Sequence, residues 1–284
     1  MATVGRRTRL VLGGSVTATL LSAALAACTS ETRAVPMRLG TTYTVEQSGA
    51  LALLDSLRPP VPLRVIVGAS GQILRSAAAG DLDVVLTHAP SLEQRLLVGP
   101  GHAAMRCPFV ASRFAIVGPA ADPAHARGAS SAADAFQRIA AARATFVSRG
   151  DSSGTHVKEL SLWKAAGVAP PPGPRDRWYV QAGVDQAATL RIADERGAYA
   201  LADLPTFARL TGLGTRVLFT ADTALGNPYT LYVIRSASAN PAGARFASWA
   251  LSDWRPQLLA LRLPGGETAF APLAGGCTAP VAAP

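Results

Sequence analysis

Apolar residues follow two rhythms along this chain. Short runs such as LRVIVG (63–68) and DVVLTH (83–88) are nearly continuous, while the segments between them carry apolar residues at helical intervals. The first rhythm predicts strands at 37–42, 63–68, 83–88, 114–117, 145–148, 178–180, 198–202, 217–220 and 230–234. The second predicts helices at 45–57, 71–79, from Ser91, from Ser131 to about Arg143, from about Ser153 to before Gly167, at 185–196, around Phe207 and Leu210, at 240–251 and at 256–261. Gly80 suits the residue after a helix end, and Ser131-Ala132-Ala133-Asp134 resembles a capping box. The proline-rich stretch APPPGPRDR (169–177) reads as a surface loop. Repeated β-α-β units imply an α/β fold, with mainly parallel sheets flanked by helices on both faces.

One echo stands out. Gly40-Thr41-Thr42-Tyr43-Thr44 leads from a strand into a helix, and SRGDSSGT (148–155) does the same about a hundred residues later. Ligands of parallel α/β sheets sit beyond the carboxyl ends of the strands, where such turns lie. Two hydroxyl-rich turns therefore suggest two lobes with a ligand between them.

The first 36 residues break both rhythms. Arg6, Arg7 and Arg9 precede an uncharged stretch from Leu10 to Ala27, and Leu25-Ala26-Ala27-Cys28 matches a lipobox. We read 1–27 as a lipoprotein signal peptide, Cys28 as the lipidated residue and 28–36 as a linker. The competing readings are plain cleavage at an A-x-A site and an uncleaved anchor helix; Gly13, Gly14, Ser15, Thr17 and Thr19 count against the latter. The chain is thus expected outside the cytoplasm. Removing the signal arginines lowers the formal charge from +9 to +6. That excess is spread out and has no basic block with interleaved aromatics, which argues against nucleic acid. Cys107 and Cys277 remain; outside the cytoplasm they either pair or stand as separate buried thiols, and sequence gives no distance. His88, His102, His125 and His156 have no metal-ligand spacing with these cysteines, and neither metal nor cofactor is expected.

The stretch SRGDSSGTH (148–156) admits three readings. Gly150-Asp151-Ser152-Ser153-Gly154 fits the G-x-S-x-G elbow of serine hydrolases. The histidine of such enzymes follows from a remote position, but the only one after Ser152 is His156, in the same helix turn. Arg149-Gly150-Asp151 spells an adhesion tripeptide, which needs an exposed loop. The third reading is an anion site at a helix start. It uses the free N–H groups of Ser153, Gly154 and Thr155, the helix dipole, nearby hydroxyls and the donor fork of Arg149. A plainer reading leaves Asp151 and Ser152 as helix caps and Arg149 in an ion pair.

Several segments together resemble the tungstate-binding proteins of ABC transporters, within the type II periplasmic binding-protein superfamily. They are GTTYT (40–44), VGASGQIL (67–74), GDLDVVLTHAP (80–90), FAIVGP (114–119), FVSRGDSSGTHVKELSLW (146–163), ATLRIADERGAYALAD (188–203) and NPY (227–229), in the family's order. The resemblance implies a two-lobed fold with a ligand cleft, lobe 1 from 37–115 and 228–284 and lobe 2 from 116–227. It implies capture of a tetrahedral oxyanion, tungstate or molybdate, by a membrane-anchored monomer that hands the anion to ABC permease subunits and does no chemistry. Carried over by position, the contacts are Thr41, Thr42 and Thr44 from lobe 1 and Arg149, Ser153, Gly154 and Thr155 from lobe 2. Ser70 and Gln72, in a second lobe-1 turn, are further candidates. Where the family usually reads TTTS, this chain reads TTYT, placing Tyr43 beside the expected anion. A phosphate or other small-anion binder is the alternative. Phosphate at neutral pH carries a proton and welcomes an acceptor such as Asp151, whereas tungstate, molybdate and sulfate do not. Where Asp151 points decides between them, and sequence leaves that open.

Overall fold

The computed structural model describes residues 1–3, 35–169, 177–236 and 239–280. Residues 4–34, which hold most of the expected signal peptide, Cys28 and most of the expected linker, lie outside the described residues, as does most of the proline-rich loop. The strands among the described residues are β1 Met37–Thr42, β2 Leu63–Gly68, β3 Val84–Thr87, β4 Ala103–Gly118, β5 Phe146–Ser148, β6 Tyr179–Gln181, β7 Ala200–Asp203, β8 Arg216–Phe219, β9 Gly226–Ile234 and β10 Ala271–Pro272.

In the first sheet β1 runs parallel to β2 on one side and β3 on the other. β9 pairs antiparallel with β3, and the first part of β4 pairs antiparallel with β9. β10 adds a short antiparallel edge on β4. β4 then leaves this sheet: Arg113 still pairs with Gly226, but Phe114 pairs with Asp203 of β7. Its second part lies between β7 and β8, antiparallel to both. β5 joins beside β7 through a parallel bridge at Phe146–Tyr199 and pairs with β6 in parallel. Each sheet thus keeps one dominant strand direction, reversed in β9 and the short β10 of the first sheet and in β4 of the second.

The apolar runs are buried on both faces, as such a sheet requires. In β3, Val84 and Leu86 face a core with Phe109, Leu231 and Trp254, while Val85 faces a second core with Ile73, Leu74 and Tyr232. In β4, Phe114 and Ile116 pack with Phe136, Phe146 and Trp163, while Ala115 and Val117 pack with Leu190, Ala200 and Ala202.

Three expectations change. The helix expected over 45–57 is two, Tyr43–Gln47 and Ala50–Ser56, broken at Gly49 where φ is +87°. Only glycine adopts such a backbone without strain. The strand expected at 114–117 is the end of a sixteen-residue β4. Pro108, which has no N–H to give the ladder, sits at a register irregularity within it and hid its first part. Finally, the ladders through β4 and β9 are antiparallel, which βα periodicity does not reveal. Cys107 and Cys277 form a disulfide. Among the described residues no helix is long and apolar enough to cross a membrane.

The carboxyl ends of β1, β3 and β5 lead directly into Tyr43, His88 and Arg149, and that of β2 into the helix Ser70–Ala78. This arrangement positions the site.

Candidate functional site

The loop after β5 is shaped by its own polar groups. Gly150 and Ser152 both take positive φ, +62° and +59°. Asp151 turns back on the loop: one carboxylate oxygen accepts from Arg149 Nη2 and the other from Ser153 N at 3.0 Å. Ser153 caps the helix Gly154–Ala165, its Oγ accepting from His156 N at 3.2 Å. Glu159, buried one turn further on, holds the loop from beneath. Its carboxylate accepts from Tyr179 Oη at 2.7 Å and Trp163 Nε1 at 3.1 Å, and it also bonds Ser148 and the Arg149 N–H. Burial pushes Glu159 up to about 7.

Arg149 is only 2 % exposed. Burial lowers its pKa, and the Asp151 carboxylate opposes that shift. The Tyr43 ring lies 5.9 Å from the guanidinium carbon. Arg149 Nε and Thr155 Oγ1 are both buried and have no hydrogen-bond partner among the described residues. A buried donor left unpaired costs about 1–3 kcal/mol, so two such groups six positions apart in one loop-helix segment mark a place built to receive an acceptor.

The turns of the first sheet meet this loop directly. Gly154 N donates to Ser70 Oγ at 3.0 Å, and Gly71 N donates to Ser152 O at 3.2 Å. Farther out, Ala187 N donates to Gln47 Oε1 at 3.0 Å. Ser70 accepts in its contact, so its own hydrogen stays available. Thr42 Oγ1 lies 2.8 Å from Thr44 Oγ1, which lies 2.7 Å from His88 Nε2. Thr41 differs from the other candidates: its hydroxyl donates to Leu86 O at 3.2 Å, so its hydrogen is committed to the sheet. Gln72 is exposed and lines an open cavity of about 390 Å³ with Tyr43, Ala69, Asp151, Gly183, Val184 and Asp185.

The site therefore brings together Thr42, Thr44, Ser70, Arg149, Ser153, Gly154 and Thr155. It adds His88 and Asn227, which sequence reasoning gave no role. Both lay inside quoted segments, but a single buried histidine or asparagine is ordinary in a core. The hydrolase reading finds little support here. His156 Nδ1 accepts from the backbone N–H of Ser152 at 3.1 Å. The buried Arg149 removes the adhesion reading.

Comparison with known proteins agrees with this geometry. Residues 27–253 match the family model for the PBP superfamily domain. A Haloferax volcanii protein named for anion binding in an ABC transporter is 42% identical over 177 residues, which cover 60% of this chain and 49% of that protein. The match thus spans about half the length of that relative. Tungstate-binding protein TupA of Peptoclostridium acidaminophilum is 32% identical over 234 residues, covering 78% of this chain and 79% of its own. The solved structure of the tungstate-binding protein TupA from Desulfovibrio alaskensis G20 matches with a TM-score of 0.67 at 30% identity, covering 85% of this chain and all of the other.

Proposed function

The chain belongs to the PBP superfamily and, within it, to the family of the tungstate-binding proteins, and from that membership we propose that it captures a tetrahedral oxyanion, tungstate or molybdate, for an ABC importer. The observation that carries this reading is the pair of buried, unpartnered donors, Arg149 Nε in the loop after β5 and Thr155 Oγ1 in the first turn of the helix that follows. The macrodipole of that helix favours an anion at the same point, although the N–H groups of Ser153 and Gly154, expected to be free, are taken by Asp151 Oδ1 and Ser70 Oγ.

Selectivity follows from Asp151. Its two carboxylate oxygens already accept from Arg149 and from Ser153 N, which makes it a poorer acceptor for a ligand. The place beside Thr155 then offers donors only, which suits an oxyanion without protons and disfavours hydrogen phosphate. Lobe 1 would comprise 37–115 and 228–284, and lobe 2 116–227. Their closure over the anion would present one shape to a permease. In this reading the protein works outside the cytoplasm as a monomer held by lipid at Cys28, and it binds without catalysing.

Calorimetric titration of the purified protein with tungstate, molybdate, sulfate and phosphate tests the proposal. Tungstate and molybdate are expected to bind most tightly and phosphate most weakly. A preference for phosphate would overturn the donor-only site.

A further inference from the structure

His88 stands at the centre of the site. It follows β3 and is 3 % exposed. Gly154 packs on its ring so closely that a Cβ there would fall 2.6 Å from Cε1. Both ring nitrogens are engaged, Nε2 with Thr44 Oγ1 at 2.7 Å and Nδ1 with Asn227 Oδ1 at 2.8 Å.

The far end of this chain sets its direction. Asn227 Nδ2 donates to Ser112 Oγ and to Asp203 Oδ1, both at 3.0 Å, and Ser112 Oγ donates to Asp203 Oδ1 at 2.6 Å. The Asn227 amide oxygen therefore faces His88, and Nδ1 carries a hydrogen. In a neutral ring Nε2 is then a bare acceptor. It takes the hydrogen of Thr44, which in turn takes that of Thr42. Both hydroxyl hydrogens point into the protein, although a fully deprotonated oxyanion needs donors.

Resting on the oxyanion reading above, we propose that His88 is a further member of the anion site, and that anion capture takes up one proton at its Nε2. The proton comes from solvent, and the only bond formed at the ring is N–H. Nε2–H then donates to Thr44, the Thr44–Thr42 chain reverses, and a hydroxyl hydrogen is released towards the anion.

The charges around the ring agree. Burial holds the imidazole neutral, down to about 4, with Arg149 adding to that effect and Asp151 opposing it. On the other elements packed here, Tyr229 stacks on the ring at 4.8 Å, and Asp203 lies behind Asn227. Glu93 holds the backbone beside it through Thr87 Oγ1 and Ala89 N. Burial raises the pKa of all three, so they tend to be neutral. His156, in the first turn of the loop's helix, is also lowered by burial. A dianion would be the dominant negative charge at the ring and would pull its pKa up. The bound state then holds more protons than the free state, so affinity rises as pH falls.

The test is calorimetry of molybdate binding between pH 5.5 and 8, in buffers of differing ionisation enthalpy, with wild type and His88→Gln. In wild type the heat should reveal proton uptake that grows towards the acid end, and affinity should strengthen by up to about tenfold per pH unit there. His88→Gln should show neither effect, which separates His88 from His156 and from protonation of the anion itself. Buffer-independent heats in wild type, or the same pH dependence in both proteins, would overturn the proposal. Should His88→Gln fail to fold, His156→Gln takes its place: proton uptake that persists in this variant supports His88, and its loss would overturn the proposal. Wild type that binds no oxyanion at any pH would instead overturn the anion reading on which this rests.

Discussion

Arg149 is a buried cation with one arm held by Asp151 and Nε left unpartnered. The Asp151 pair keeps it charged in a dry place, and the free Nε leaves it something to offer. A hydrogen bond to a charged group contributes roughly 1.5–3 kcal/mol, so Arg149→Ala should weaken tungstate binding about ten- to a hundredfold or more. Arg149→Lys keeps the charge but loses the planar fork, and should recover only part of the loss. If Arg149 served only its ion pair, Arg149→Ala would lower the apo melting temperature and leave affinity untouched. Titration and melting curves on both variants separate the two cases. At this scale the sequence was informative where residues cluster: Arg149, Ser153, Gly154 and Thr155 lie within seven positions. His88 and Asn227 lie 139 positions apart, and only folding brings them into one hydrogen bond. The direction of Asp151, which decides between phosphate and tungstate, depends on side-chain torsions that no spacing encodes.

Among the elements, the helix Gly154–Ala165 carries the site, and its first residue shows the cost of a close approach. Gly154 gives its N–H to Ser70 and its bare Cα face to His88. Alanine is normally the better helix residue by about 1 kcal/mol. Here a methyl group would meet a fully enclosed ring, which is bonded at both nitrogens and cannot step aside cheaply. Gly154→Ala should therefore lower both the melting temperature and tungstate affinity; a variant as stable and as tight as wild type would show that the two turns have room between them. Element positions were largely legible, because apolar runs and helical intervals follow directly from burial. The exceptions have local causes. Gly49 breaks an otherwise continuous helical pattern, and Pro108 interrupts the signal of β4. The antiparallel setting of β4 and β9 is a long-range pairing, and the periodicity of a strand is the same in either direction.

For the whole molecule, the Cys107–Cys277 disulfide is a covalent link between positions 170 apart in sequence. Cys107 is on β4 among the residues paired with β9, and Cys277 lies beyond β10. The loop they close therefore contains every strand of the second sheet, including the part of β4 that pairs there. The bond touches none of the anion-site residues. Its effect should fall on the unfolded chain, whose freedom it restricts. For a loop of this length the chain-entropy estimate is about 5 kcal/mol. For a domain of this size that corresponds to a drop in melting temperature on the order of 10 °C. Cys107→Ala with Cys277→Ala, or reduction under mild denaturation, should show that drop. Tungstate affinity at 25 °C should stay within about twofold, since no contact of the site is removed. An unchanged melting temperature would mean that the unfolded chain is already constrained there. A large loss of affinity would mean that the bond holds β4, and with it the Ser112–Asn227–His88 chain, in its working register.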